Sequence, residues 1–265
     1  MIVTTAGRTN QEWADFASQI ADELRIEYIV RKKRSVIELQ QLFDDDVIVV
    51  GKNRLEIHMR NASEPMFFHP NSAMFRAKRI AKGEHDPFLE SAGLEKGMKV
   101  LDCTLGLGSD SIIASFSVGS EGTIIGLEVN PYIAYVVSKG LQTWESGHEK
   151  LDEAMRRVHV VSKDHYSYLL ECENDSFDVV YFDPMFEESI DESNGINGLK
   201  NLGEKTSITK RVINEARRVA KKRIVLKDHW KSANFQKYGF NVVQRKSAKF
   251  HFGTIDLESE TKKRS

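Results

Sequence analysis

The chain has 265 residues, of which 40% are hydrophobic and 29% charged, with a net charge of −1 at neutral pH. That balance suits a globular protein and excludes collagen, a long coiled coil and bulk disorder. No apolar run approaches the roughly 18 residues that a bilayer-spanning helix needs.

Residues 1–60 read as a small N-terminal α/β subdomain. Ile2–Thr4 is a short strand, and Thr9 with Glu12 forms a capping box opening a helix that carries Trp13, Phe16, Ile20 and Leu24. Ile26–Val30 is β-rich. Ser35 with Glu38 opens a second helix bearing Val36, Leu39 and Leu42, and Val47–Val50 and Leu55–Met59 follow as strands. Residues 61–92, with Pro65, Pro70, Gly83 and Pro87, read as a connecting segment with one short helix.

From residue 93 to 265 the rhythm is strand, helix, strand, helix. Strands are expected at Lys99–Cys103, Thr123–Leu127, Val158–Val161, Asp178–Phe182 and Arg223–Lys227, with helices notably at Pro131–Trp144 and Ser207–Val219. Alternation of this kind means a mostly parallel sheet with crossover helices on both faces. Asn241–Gln244 and Lys249–Leu257 lie too close in sequence for a crossover, so they predict an antiparallel C-terminal hairpin.

The stretch from Asp102 through Thr104, Gly106, Gly108 and Ser109 to Asp110 runs from a strand into a helix. Glycines there let the backbone approach a ligand closely, and the helix offers free N–H groups, although a purely structural turn explains Gly-x-Gly as well. Position 111 is Ser where a dinucleotide fingerprint has its third glycine. Asp102 sits where a diphosphate would be repelled and an ammonium welcomed. Glu128 closes the next strand, where a carboxylate can accept ribose hydroxyls, and Asp164 follows the third strand, within reach of an adenine amino group. Acids at the carboxyl ends of successive strands suit a cationic, phosphate-free nucleoside cofactor, for which S-adenosylmethionine is the natural candidate.

Phe177–Phe182 is a buried-strand pattern delivering Asp183-Pro184-Met185-Phe186. An exocyclic base amine is a poor nucleophile because its lone pair is delocalised into the ring. The Asp183 carboxylate and the Pro184 carbonyl can accept its two N–H bonds and draw the nitrogen towards tetrahedral geometry. Phe186 can stack on an extruded base. The bland alternative is an Asp-Pro turn with Phe186 in the core.

Residues from about 99 to 230 resemble the RsmJ family of small-subunit ribosomal RNA (guanine-N2)-methyltransferases. The resemblance is carried by Asp102 to Asp110, Gly126-Leu127-Glu128, Asp178 to Phe186, and Arg223-Ile224-Val225-Leu226-Lys227. It implies a Rossmann-like class I methyltransferase with a seven-stranded sheet and an RNA substrate. It also implies cofactor contacts at Ser109, Asp110, Glu128, Val129, Asp164, His165 and Asp183. The family usually has Arg at the place of Ser109 and Pro at the place of Glu187.

Charge supports a polyanionic partner: residues 199–265 carry 18 Lys/Arg against 6 Asp/Glu, whereas residues 86–198 carry 7 against 21. Solvated helix faces explain the same asymmetry. Two basic clusters, Arg31-Lys32-Lys33-Arg34 and Arg76, Lys78, Arg79 and Lys82, are candidate phosphate contacts, the second with Phe67, Phe68 and Phe75 nearby for stacking. Glu187–Lys205 is expected to be a substrate loop. Asp44–Asp46 read as a solvated helix end rather than a metal site, and no metal spacing is seen among the eight histidines. Met1–Asp15 has no secretory pattern and the two cysteines, Cys103 and Cys172, lack ligand spacing, which together predict a reduced, cytoplasmic setting. Competing readings are a nicotinamide-dependent oxidoreductase, a DNA amino methyltransferase, and an RNA-binding protein that keeps the fold without turnover.

Overall fold

The computed structural model describes residues 1–184, 207–244 and 248–257. Two sheets share it. The first is built from β1 (Ile2–Thr5), β2 (Glu27–Tyr28), β3 (Val47–Val50), β4 (Leu55–His58) and β5 (Met66–Phe67), in the order β2-β1-β3-β4-β5. β1 runs parallel to β2 and β3, and β4 returns antiparallel to β3. Strand alternation sends Val3, Ile48 and Val50 to one face, against Ala17 and Ile20 of α1 (Gln11–Leu24). Ile2, Val47 and Val49 face the other way, onto Leu39 of α2 (Val36–Phe43).

Local details depart from the sequence reading in three places. Asn10, not Thr9, caps α1, its side chain accepting the Trp13 N–H at 3.1 Å. Both residues can cap, and the helix simply begins one residue later. The strand expected at Ile26–Val30 shrinks to β2, which pairs with only Ile2 and Val3 at the sheet edge. The segment at 61–92 supplies β5 to the first sheet and two helices, α3 (Asn71–Ala81) and α4 (Pro87–Ala92). The capping box at Ser35 and Glu38 forms in full.

The second sheet contains β6 (Lys99–Asp102), β7 (Thr123–Glu128), β8 (Val158–Ser162), β9 (Phe177–Phe182), β10 (Ala220–His229), β11 (Asn241–Val243) and β12 (Phe250–Asp256). Their order is β11-β12-β10-β9-β6-β7-β8. All neighbours are parallel except β12, which runs antiparallel to both β10 and β11, as the hairpin spacing predicted. Helices α5 (Ser109–Val118), α6 (Pro131–Thr143), α7 (Glu149–Arg156), α8 (His165–Glu171), α9 (Lys210–Val219) and α10 (Asn234–Tyr238) connect the strands. This is the α/β architecture of class I methyltransferases.

The chain runs outwards from β6 through β7 to β8, then crosses back to place β9 on the other side of β6. The carboxyl ends of β6 and β9 therefore flank a topological switch point, where open α/β sheets bind ligands.

One hydrophobic cluster joins the two sheets, running from Val3, Ile20 and Ile57 to Val100, Ile113 and Val137. Phe68 lies so close to Gly140 of α6 that a methyl group there would sit 2.3 Å from its ring. At the same seam the Tyr135 hydroxyl donates to Glu23 Oε2 at 2.6 Å. Among the described residues, no helix is long and apolar enough to cross a membrane.

Candidate active site

The loop leaving β6 is held by both neighbouring strands. Cys103 N–H donates to the Tyr181 carbonyl of β9, and Leu105 N–H to the Leu127 carbonyl of β7, both at 2.9 Å. Leu105 is buried against Gly126, where an added methyl would approach it to 2.5 Å. Gly106 and Gly108 have φ of +51° and +75°, the left-handed region that glycine enters without strain. A Cβ at Gly106 would meet nothing within 4 Å, so that turn opens onto free space. Gly108 is the N-cap of α5 and supplies no side-chain cap, leaving first-turn N–H groups to a ligand. Ser109 Oγ is buried without a hydrogen-bond partner among the described residues.

Asp102 is 2% exposed and folds back on its own loop. It accepts the Thr104 N–H at 3.0 Å and the Ser111 hydroxyl at 2.7 Å. Burial pushes its carboxyl up to about 7, against those two hydrogen bonds. The serine that departs from a dinucleotide fingerprint is thus the partner of the strand-end acid.

At the end of β7, Glu128 accepts the Asn130 N–H at 2.9 Å, and the N–H groups of Gly106 and Val129 also bond to it. Burial outweighs them and raises its pKa. Asp164, past β8, caps α8 by accepting the Ser167 N–H and hydroxyl at 2.9 and 3.0 Å. His165 is buried edge-on to Phe182, and desolvation lowers its pKa.

Asp183 ends β9 beside the glycine loop. Its N–H donates to the Thr104 hydroxyl at 2.6 Å, and its Oδ2 lies 2.6 Å from the Lys227 ammonium. Burial pushes its carboxyl up to about 6 despite the pull of Lys227. Pro184 follows as the last described residue of the tetrapeptide. Phe186 and the loop at Glu187–Lys205 lie outside the described residues.

Asp110 turns into the protein. Its carboxylate receives the Tyr181 hydroxyl at 2.8 Å, Lys227 at 3.4 Å and the Arg76 guanidinium. Burial opposes its ionisation, but Lys227 and Arg76 prevail and hold it down at about 2. Arg76 also forks onto Asp86 at 2.8 and 2.9 Å. Its expected place among exposed phosphate contacts is therefore corrected: two buried carboxylates take it inwards.

The rest of that cluster, Lys78, Arg79 and Lys82, is exposed with Phe75. Phe68 is buried and Phe67 carries Arg54 at 3.7 Å from its ring centre, so neither is a stacking platform. Arg31 is tied to the Arg34 and Thr5 carbonyls, while Lys32, Lys33 and Arg34 are exposed. Asp45 pairs with the amino terminus and Asp44 with Arg60, accounting for those acids within the first sheet.

The sequence places acids at the ends of β6, β7, β8 and β9 but carries no local sign of the roles of Tyr181, Asp86 or Arg76 as partners in an internal ion cluster. A charged residue within the buried pattern of β10 was the available signal for Lys227.

Comparison with known proteins agrees with this fold. Residues 33–252 match a family described as "Putative SAM-dependent methyltransferase". The chain is 46% identical over 254 residues to "Uncharacterized protein YpiP" of Bacillus subtilis, covering 96% of this chain and 98% of that one. It is 28% identical over 190 residues to "Ribosomal RNA small subunit methyltransferase J" of Buchnera aphidicola, 68% of this chain and 74% of the relative. Its fold resembles the SAM-dependent methyltransferase of Neisseria gonorrhoeae, with a TM-score of 0.62 at 15% identity over 97% and 96% of the two chains. The family match runs from α2 into β12 and covers most of the chain: this chain belongs to the family of SAM-dependent methyltransferases.

Proposed function

We propose that the chain methylates an exocyclic amino group of a nucleic-acid base, and that the base is guanine, modified at N2, in small-subunit ribosomal RNA. The observation that carries the reading is Asp183. It is a half-buried carboxylate at the switch point, tied by its N–H to the glycine loop and followed directly by a proline carbonyl. The relatives named "Ribosomal RNA small subunit methyltransferase J", from Buchnera aphidicola and Legionella pneumophila, support RNA as the substrate class.

When bound, S-adenosylmethionine would supply an electrophilic methyl group and leave as the neutral thioether S-adenosylhomocysteine. Asp183 and the Pro184 carbonyl accept the two N–H bonds of the base amine, turning its lone pair out of the ring and towards the methyl carbon. As the N–C bond formed, the methyl–sulfur bond would break with its electron pair going to sulfur, and the Asp183 carboxylate would take the proton the amine sheds. Phe186 stacks on the base.

Cofactor contacts fall to the strand ends. Gly106, Gly108 and Ser109 receive the amino-acid end at the uncapped start of α5. Asp102 and Thr104 shape that loop, and Asp102 balances the ammonium. Glu128 and Val129 take the ribose, Asp164 and His165 the adenine, while Asp110 acts from behind the loop through its hold on Lys227. The unpaired thiols of Cys103 and Cys172 suit a cytoplasmic setting.

The test is incubation with tritiated S-adenosylmethionine and small-subunit ribosomal RNA, free and in assembled subunits from cells lacking the gene. Label in N2-methylguanosine is expected. Label in another amino-methylated base would discard guanine N2, and label only with DNA would discard RNA. Cofactor binding without any label on either nucleic acid would overturn the reading as a base methyltransferase.

A further inference from the structure

We infer that Lys227 is a positioning residue for methyl transfer, shared between Asp110 and Asp183 so that the Asp183 carboxylate is ionised, oriented and still basic. The inference rests on the reading of Asp183 as the acceptor of the base amine.

The sheet itself creates the contact. β10 pairs with β9 in parallel register, Leu226 opposite Phe182, so the next residues along, Lys227 and Asp183, emerge side by side. The Lys227 side chain is 18% exposed, and its Nζ lies 2.6 Å from Asp183 Oδ2, 3.4 Å from Asp110 Oδ2 and 5.0 Å from the centre of the Phe250 ring. An ammonium has three N–H donors. Two carboxylates and one ring face account for them, so Lys227 is directed inwards, not at RNA phosphates.

Asp110 holds the ammonium in place. The Tyr181 hydroxyl and Arg76 fix its carboxylate, and Arg76 is itself fixed by Asp86, which caps α4. The inner cluster thus sets two cations, Arg76 and Lys227, against three carboxylates, Asp86, Asp110 and Asp183. Three further titratable groups lie close by. Asp102 of β6 and Asp228 of β10 add negative charge, and the buried His251 of β12 sits opposite Asp228 in the β10–β12 ladder.

A desolvated carboxylate without a cation would stay protonated near neutral pH and be unable to take a proton. One that owned a cation alone would be a poor base. Sharing Lys227 with Asp110 sets Asp183 between these limits, and the Lys227 hold on Oδ2 turns Oδ1 to the amine.

The experiment follows Asp183 in the full-length protein labelled with [13Cγ]aspartate, its resonance identified by loss in Asp183→Asn. The pH profile of kcat/KM and the cofactor Kd are measured alongside. In Lys227→Gln the Asp183 titration should move up by about one unit or more. The acid limb of the rate profile should move with it and turnover at pH 7 should fall about twofold or more, with cofactor Kd within threefold. Lys227→Arg should restore the limb towards wild type.

Asp110→Asn should move the same titration down, since it removes a neighbouring negative charge and leaves Lys227 to Asp183 alone. An unmoved titration in Lys227→Gln, or a uniform loss of rate with the limb in place, would overturn the inference. If Lys227→Gln does not fold, Asp110→Asn decides by direction: no shift or an upward one overturns it. Titrations that move as stated in a protein that methylates no nucleic acid would remove the substrate reading and leave the Lys227–Asp183 linkage standing.

Discussion

The Asp183 N–H donates to the Thr104 hydroxyl at 2.6 Å, tying the carboxyl end of β9 to the glycine loop that follows β6. One side chain thereby sets the spacing between the loop assigned to the cofactor and the carboxylate assigned to the substrate. Thr104→Val keeps the shape but leaves that N–H without its acceptor. It should cost about 1–3 kcal/mol in urea unfolding and lower turnover more than it weakens cofactor binding. Thr104→Ser should recover both, and a Val variant with wild-type turnover would show that the tie does not position Asp183.

Asp183→Ala should lower turnover by about 100-fold or more with cofactor Kd changed only a few-fold by calorimetry. Because burial raises the carboxyl to about 6 and the ionised form is the acceptor, log kcat/KM of the wild type should climb with pH up to about 6 and then level. Stability runs the other way. The raised pKa means the folded state binds the proton more tightly, so this contribution is complete below the model-peptide value of 3.8 and is lost as pH rises through about 6. Asp183→Asn should flatten that part of the stability profile.

Glu128→Gln keeps an acceptor for the backbone N–H groups around it, so melting temperature should hold. Loss of the charged acceptor for the ribose should weaken cofactor binding by about 10-fold or more. A Kd unchanged by calorimetry would remove Glu128 from the ribose.

Arg76→Ala removes the cation paired with Asp86 and leaves Asp110 to Lys227 and Tyr181, and breaking such a buried pair costs about 3–5 kcal/mol. Arg79→Ala, three residues along the same helix, removes only a half-exposed pair with Glu84 and should cost under about 1 kcal/mol. Equal losses in urea unfolding would mean that Arg76 is not the internal counter-charge described here. Asp110, held down at about 2, contributes stability above the model-peptide 3.8 that is lost as pH falls towards 2. Arg76→Ala should therefore blunt the acid sensitivity of the fold in that range.

Local pattern carried much of this protein. Period-two and buried strand runs marked β6 to β10, the short gap between the last two strands forced an antiparallel hairpin, and Ser35 with Glu38 announced α2. These features depend on neighbours within a few residues, where backbone geometry alone sets what a side chain can reach. The glycine loop and the acids at successive strand ends were legible for the same reason: a strand followed by a turn puts them at the same edge wherever the sheet lies.

Only the tertiary structure decided what those acids touch. Arg76 reads as one member of a surface basic cluster until α3 packs beside α5, and Asp110 reads as a ligand contact until Lys227 and Tyr181 are seen to claim it. Residues 76, 110, 181 with 183, and 227 come from four separate stretches of chain, and an ion pair between distant segments leaves no periodicity behind. β5 likewise escaped notice because two residues cannot show a period, and it exists only as the partner of β4. The sequence by itself determined the longer strands, their turns and which residues stand at their ends. The sheet order then placed β9 beside both β6 and β10, and that adjacency set Lys227 against Asp183, because parallel pairing fixes which side chains emerge together.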